Sequence, residues 1–299
     1  MKILPVVLLL GLFFVSCRQG LHLGGSGPQQ TAREAQGLNG PVRSVFIATA
    51  VPVDKGGQWE PGQPQPVSFA AYDVKGRRTE QEFYTAIDAP GGKSVFRYDA
   101  QGNETEEIRY TADGTPAGRT VFTYDHQGHR TASLSYTADG TLTSRTVFTC
   151  DAQGSETSAV RYTAAGAREN ETVSTYDAEG NLAEVAWYTA DGTLGGKMVY
   201  SRASRGNLTA SVYYAYNPDG TLISRTDSTY NVGGNLTEVV WYNADGALKR
   251  TETSTYEFDA FGNWIKQTTA KWVTTGGASH IEPPVVTYRT LTYHGKGTE

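Results

Sequence analysis

The sequence predicts an all-β protein, a long antiparallel β-meander folded as one twisted or curled sheet. The main observation is a turn motif, Tyr-Asp-x-x-Gly, that recurs with a spacing of 26 residues, and such a fixed period indicates a repeat architecture. The chain is also rich in Tyr and Gly, with 18 and 34 residues, which suits strands joined by many turns. The motif is intact at Tyr72, Tyr98, Tyr124 and Tyr176 and degraded at Cys150, Arg202, Tyr230 and Phe258.

A second turn motif, Tyr-x-Ala-Asp-Gly or a close variant, lies between successive copies of the first. It occurs at Tyr110, Tyr136, Tyr162, Tyr188, Tyr216 and Tyr242. Asp in these turns can accept hydrogen bonds from the backbone, and Gly tolerates positive φ, so both motifs predict tight hairpins. The strands between them have about 8–10 residues, and short connections allow only antiparallel neighbours.

The alternation of side chains along a strand divides the residues between two faces of the sheet. One face is the candidate core, an aromatic face that carries two apolar columns. Phe96, Phe122, Phe148 and Tyr200 accompany the Tyr residues of the Tyr-Asp turns, and Ile108, Leu134, Val160, Ala186 and Val240 accompany the Tyr residues of the second motif. The opposite face carries a valine column: Val95, Val121, Val147, Val173 and Val199. About sixteen to eighteen strands at ~4.8 Å give a sheet on the order of 80 Å wide, which we expect to twist or curl.

Residues 104–109 place charged side chains on both faces of one predicted strand. A transmembrane barrel needs an uninterrupted apolar band toward lipid, so this strand argues against one.

The N-terminus predicts a secretory signal peptide, because Lys2 precedes an apolar run that is too short to span a bilayer. Phe14-Val15-Ser16-Cys17 resembles a bacterial lipobox, with Phe14 in place of the usual Leu, and we expect Cys17 to carry lipid. The alternative is an ordinary signal peptide with an incidental Cys. Once Cys17 is lipidated, Cys150 has no disulfide partner within the chain and is expected to pack as a small hydrophobic side chain.

We expect one folded domain behind this leader. Residues 1–16 are the signal peptide, and residues 17–37 are the lipidated Cys followed by a flexible tether rich in Gly, Gln and Ser. Residues 38–299 form a single β-repeat domain. Within it lie the first strands at 38–71, the repeats at 72–263 and a closing hairpin at 264–293.

The alternation of Tyr-Asp-Ala-Gln-Gly-Asn (98–103) with Tyr-Thr-Ala-Asp-Gly-Thr (110–115) resembles the YD, or RHS-type, repeats of bacterial surface and toxin proteins. The resemblance covers about 72–263. The flanks at 38–45 and 259–266 resemble those of uncharacterised RHS-repeat lipoproteins. It implies a β-repeat fold and a lipid-anchored location at the bacterial outer membrane or cell surface, with the periplasmic face as an alternative. It implies no catalytic residues.

The sequence offers little chemistry, and we expect a protein that is not an enzyme and has no cofactor or metal site. His126 and His129 share one turn with Asp125, but they occupy variable turn positions, and a solvated turn is favoured over a metal site. Removing Lys2 from 26 basic residues leaves 25 against 31 acidic, a net charge of −6. Without a cluster of Lys and Arg along one face, we expect no nucleic-acid partner.

Two functions remain open. The first is a structural or interaction scaffold that is attached to the membrane by its lipid and contacts another envelope protein. The alternative is a module that binds glycan or peptidoglycan through exposed aromatic residues of the later repeats: Trp187, Tyr213, Tyr214 and Trp241. The competing interpretation of Trp187 and Trp241 is that they cover the valine column of the sheet.

Overall fold

The structure is a computed structural model and describes residues 31–86, 89–203, 206–275 and 278–295. Within these residues it has one short helix and eighteen strands. The elements are α1 (Ala32–Ala35), β1 (Val42–Asp54), β2 (Trp59–Tyr72), β3 (Arg78–Ala86), β4 (Ala89–Tyr98), β5 (Glu104–Tyr110), β6 (Pro116–Tyr124), β7 (Arg130–Thr137), β8 (Leu142–Cys150), β9 (Glu156–Thr163), β10 (Arg168–Tyr176), β11 (Leu182–Thr189), β12 (Leu194–Arg202), β13 (Leu208–Tyr216), β14 (Leu222–Tyr230), β15 (Leu236–Asn243), β16 (Leu248–Phe258), β17 (Trp264–Thr275) and β18 (Ala278–Tyr293). Among the described residues, no helix has the length and apolar character needed to cross a membrane.

The eighteen strands form a closed barrel. Every strand pairs antiparallel with the next in the chain, as the meander predicted, and β1 also pairs with β18, from Val42 opposite Tyr293 to Ala50 opposite Val286. The expectation of an open sheet that is only twisted or curled was therefore wrong. Closure pairs the backbone groups of β1 and β18, which an open sheet of this width would leave as two exposed edges.

The turns of the repeats are three-residue loops closed by a glycine wherever all their residues are described. In the turn after β5, the amide of Thr111 donates to the carbonyl of Thr115, and Gly114 has a φ of 83°. This is a type I turn followed by a left-handed residue, one residue longer than the shortest hairpin turn. Asp191 accepts hydrogen bonds from the Thr189 hydroxyl and the Thr193 amide, and these bonds lower its pKa to about 2. The turn aspartates therefore act as local caps.

The seam between β18, β1 and β2 is closed by the residues that precede β1. Leu38 is 4% exposed and packs with Val42, Val45 and Tyr72 in the buried cluster. The side chain of Asn263, in the turn before β17, donates to the Asn39 carbonyl at 2.9 Å and accepts from the Asn39 amide at 2.7 Å. The barrel is thus closed by side chains as well as by the β1–β18 ladder.

Part of the segment expected to be a flexible tether is structured. Thr31 caps α1, and the Arg33 amide donates to the Gly76 carbonyl at 3.0 Å. Residues 31–37 therefore lie against the turn that follows β2. The signal peptide, Cys17 and the rest of the expected tether lie outside the described residues.

Candidate functional site

Strand pairing assigns the strand residues to two faces. Phe122 pairs with Ser133, which pairs with Thr146, so these side chains share one face. Val121 pairs with Leu134 on the other face. The assignment stays consistent around the closed sheet and confirms that the phenylalanine and valine columns lie on opposite faces. The column of Ile108 and Leu134, which was expected on the aromatic face, lies on the valine face, because Ile108 pairs with Val95 and Leu134 with Val121.

The face that carries Phe122 is the inner face of the barrel, because its small polar side chains are buried: Ser94, Thr120, Ser144 and Ser211 are 2–8% exposed. Burial also raises the pKa of Glu156 to about 8 and that of Tyr176 to about 12, and it lowers the pKa of Arg289 to about 10. These three groups of the inner face are thus desolvated.

The inner face encloses space. Eighteen strands about 4.8 Å apart give a circumference of about 86 Å and a width of about 27 Å, before strand tilt widens it. Closed sheets of 16–18 strands can leave an aqueous channel. Much of the inner wall consists of hydroxyl side chains on successive strands: Ser133, Thr146, Thr172, Ser211, Thr226 and Ser228.

One continuous row on the inner wall contains most of the predicted binding residues. Tyr213 pairs with Thr226, Thr226 with Trp241, and Trp241 with Arg250, so the row crosses β13–β16 without a break. Trp187 of β11 extends it, since its ring meets that of Tyr213 edge-on with centroids 5.9 Å apart. We call these five residues the aromatic row.

Gly196 of β12 provides the space that lets Trp187 and Tyr213 meet. It pairs with Trp187, and a Cβ at this position would lie 3.0 Å from the Tyr213 hydroxyl and 2.9 Å from the Tyr214 carbonyl. Any larger residue would push the tyrosine ring off the wall. The row therefore depends on a glycine within a strand, where glycine often marks a close approach of other groups.

Tyr214 does not belong to this site. It lies on the outer face, where its ring stacks on Tyr216 with centroids 6.4 Å apart. The structure thus brings together Trp187, Tyr213 and Trp241 and separates Tyr214 from them.

The interpretation in which the two tryptophans cover the valine column was wrong. Val173 pairs with Ala186, whereas Trp187 pairs with Thr172 on the inner face. The three-residue turns set this register, and a shift of one residue would move a side chain to the opposite face. The tryptophans are half-buried in the inner wall, so they are not fully exposed platforms either.

Arg250 is a residue of the site that the sequence analysis missed. Its guanidinium lies over the Trp241 ring, 3.8 Å from the centroid, and its Nη2 is 3.4 Å from a Glu252 carboxylate oxygen. Lys271 lies 3.6 Å from the same carboxylate oxygen. The sequence signal was available, because Arg250 lies opposite Trp241 across the Asp245-Gly246 turn.

A second inner cluster lies at the end of the barrel that carries the Tyr-Asp turns, which we call the Tyr-Asp end. The Tyr124 hydroxyl donates to the Glu104 carbonyl at 2.7 Å. The Tyr176 hydroxyl makes the equivalent bond to the Glu156 carbonyl. Arg130 is 4% exposed and lies over the Phe122 ring, 4.3 Å from its centroid. Burial raises the pKa of Glu104 to about 7, although nearby Arg130 opposes the shift.

Basic side chains outnumber acidic ones on the inner face. At the Tyr-Asp end they are Arg78, Arg130, Arg202 and Arg289, and toward the opposite end Arg109, Arg161, Arg250 and Lys271. The acidic ones are Glu104, Glu107, Glu156, Glu252 and Glu282. The whole chain is nevertheless acidic, with a formal net charge of −5.

The remaining candidates show local roles. The Nδ1 of His129 lies 3.2 Å from the Asp125 carboxylate within their turn, and no group of three potential metal ligands occurs in the described part of the chain. The expectation for Cys150 depends on the lipidation of Cys17, which lies outside the described residues. Lipidation of Cys17 stays a prediction.

Comparisons with known proteins leave the family open. No family model and no curated protein matches the chain. Among solved structures, a porin-like protein from Bacteroides uniformis is similar over 85% of this chain and 98% of its own, with 13% identity and a TM-score of 0.48. A porin-like protein from Bacteroides vulgatus has the same coverage, 11% identity and a TM-score of 0.34. A TcdB2-TccC3-Cdc42 structure matches 79% of this chain and 19% of its own, with 12% identity and a TM-score of 0.17. These scores are too low to support an argument about fold or function.

Proposed function

We propose that this protein is a cell-envelope barrel, anchored through lipid on Cys17, that binds a glycan chain along the aromatic row. The observation that carries the glycan part is the unbroken row of Trp187, Tyr213, Thr226, Trp241 and Arg250 on the inner wall. Aromatic rings with a few placed polar groups are the usual lining of sites for organic ligands. Neighbouring hydroxyl side chains supply donors and acceptors for sugar hydroxyl groups.

The row suits an extended ligand better than a compact one. Trp187 and Trp241 lie four strands apart, which is about 19 Å along the wall. A single sugar cannot contact both rings, whereas a chain of several sugars can.

The test is affinity electrophoresis of the protein without its leader through gels that contain soluble glycans or peptidoglycan fragments. We expect the wild type to be retarded and the double variant Trp187→Ala/Trp241→Ala to migrate freely while keeping its β-sheet circular dichroism. Failure of the wild type to bind any of the glycans would rule out the proposed glycan-binding function.

The scaffold function is the second candidate, and the outer face favours it. There Glu106 pairs with Arg97 at 2.9 Å and with Arg119 at 3.2 Å, which links three adjacent strands by charge. The stacked Tyr214 and Tyr216 provide an aromatic contact surface for another envelope protein. Cross-linking in intact cells that captures a partner through this face would support it.

The anchor is tested separately by labelling cells with a palmitate analogue. We expect wild-type protein to be labelled and the Cys17→Ser variant to be unlabelled and released from membranes. A thioether on Cys17 leaves Cys150 without a cysteine of its own chain, so lipidation and an intrachain disulfide are competing states. The intact mass before and after reduction distinguishes them.

A further inference from the structure

We infer that the ligand of the aromatic row is an acidic glycan, one that carries carboxylate groups. This inference rests on the proposed glycan function and adds the chemical class of the ligand. Its first support is the charge of the wall, which is basic in a chain whose net charge is −5.

The two cations beside the row have a single carboxylate within ion-pair distance among the described residues. Arg250 and Lys271 share the carboxylate of Glu252, at 3.4 and 3.6 Å. Glu282 pairs with Lys271 on the same face, but it forms no ion pair with either cation in the described part of the chain. The buried Nε of Arg250 also has no hydrogen-bond partner among the described residues. A carboxylate is the group that guanidinium recognises best, because both are planar and can form two parallel hydrogen bonds.

The Tyr-Asp end of the barrel interior also has more basic side chains than carboxylate partners for them. Arg78, Arg130, Arg202 and Arg289 form no ion pair with a carboxylate in the described part of the chain, and each has a buried Nε without a hydrogen-bond partner. Buried cations without counter-charges are costly, and a ligand with negative charges would supply what the wall lacks. Glu156 neutralises little of this charge near pH 7, because burial raises its pKa to about 8, whereas Glu104, with a pKa of about 7, neutralises part of it.

A glycan is favoured over a nucleic acid as the polyanion. The wall between the rings is lined with hydroxyl groups, which match the hydroxyl groups of sugars.

Titration calorimetry with three probes tests the inference: an oligogalacturonide, its carboxyl-reduced neutral counterpart and single-stranded DNA. We expect the acidic oligosaccharide to bind at least about tenfold more tightly than the neutral one, because one charge-assisted hydrogen bond contributes about 1.5–3 kcal/mol. Added salt should shrink this ratio. Arg250→Gln should shrink it as well, whereas Arg225→Gln on the outer face, where Arg225 lies over Tyr242, should leave it unchanged.

The other outcomes separate the two proposals. Equal binding of the acidic and neutral oligosaccharides would overturn the inference and leave glycan binding intact. Binding of neither would remove the proposed function as well. Tighter binding of DNA than of the oligogalacturonide would overturn the inference in favour of a nucleic-acid ligand. An unchanged ratio of the affinities for the acidic and the neutral oligosaccharide, in Arg250→Gln and in a second variant, Lys271→Gln, would also overturn the inference. It would show that these side chains do not recognise the carboxylate groups of the ligand.

Discussion

Arg250 lies over Trp241, with its guanidinium carbon 3.8 Å from the ring centroid, on adjacent strands of the inner wall. The pair places a positive charge of the inner wall directly against a ring of the aromatic row. A partly desolvated cation–π contact contributes about 0.5–2 kcal/mol. We predict a coupling of this size in a double-mutant cycle of Trp241→Leu and Arg250→Met, measured as the free energy of unfolding in urea. A coupling of zero would show that the two side chains do not interact in solution.

Glu156 predicts an unusual dependence of stability on pH. Its pKa is raised from 4.5 to about 8 in the folded state, so between these values the folded protein keeps a proton that the unfolded chain releases. The stability this proton provides is fully present below about pH 4.5 and is lost as the pH rises toward 8, with a total on the order of a few kcal/mol.

Urea unfolding at intervals from pH 5 to 8.5 measures this loss. The Glu156→Gln variant should lose most of the slope, and Glu104→Gln a smaller part, because the pKa of Glu104 is raised only to about 7. A Glu156→Gln variant that keeps the wild-type slope would contradict the burial of this carboxyl group.

The seam predicts a special role for Asn263, which is 2% exposed. Its side chain makes two hydrogen bonds to the Asn39 backbone and one to the Tyr293 hydroxyl, so Asn263→Ala should cost about 3 kcal/mol in urea unfolding, at about 1 kcal/mol for each bond. Asn181 holds the same turn position, but among the described residues its side chain bonds only Asp177, within its own turn. It is the matched control.

Hydrogen exchange adds a local measurement. Asn263→Ala should speed exchange of the β1 amides that pair with β18, whereas Asn181→Ala should leave them protected. Equal effects of the two variants would mean that the side chain of Asn263 does not hold the seam.

The repeat period was enough to predict the antiparallel meander, because each Asp and Gly acts within its own turn. Closure was not predictable, since it depends on contacts such as Asn39 with Asn263 that join residues more than 200 positions apart. Within the site, alternation correctly separated Trp187 from Tyr188. It could not show which neighbours Trp187 would meet, because that depends on the one-residue difference between two- and three-residue turns.

Tyr213 and Tyr214 distinguish binding of a ligand on the inner wall from binding on the outer face. They are adjacent on β13, yet Tyr213 contacts Trp187 inside the barrel and Tyr214 stacks on Tyr216 outside. The measurement is the affinity of Tyr213→Ala and Tyr214→Ala for the tightest-binding glycan, by titration calorimetry. We expect a loss of at least about tenfold for Tyr213→Ala, as for a well-packed aromatic anchor, and wild-type affinity for Tyr214→Ala. The reverse pattern, or equal losses, would show that the ligand does not bind on the inner wall.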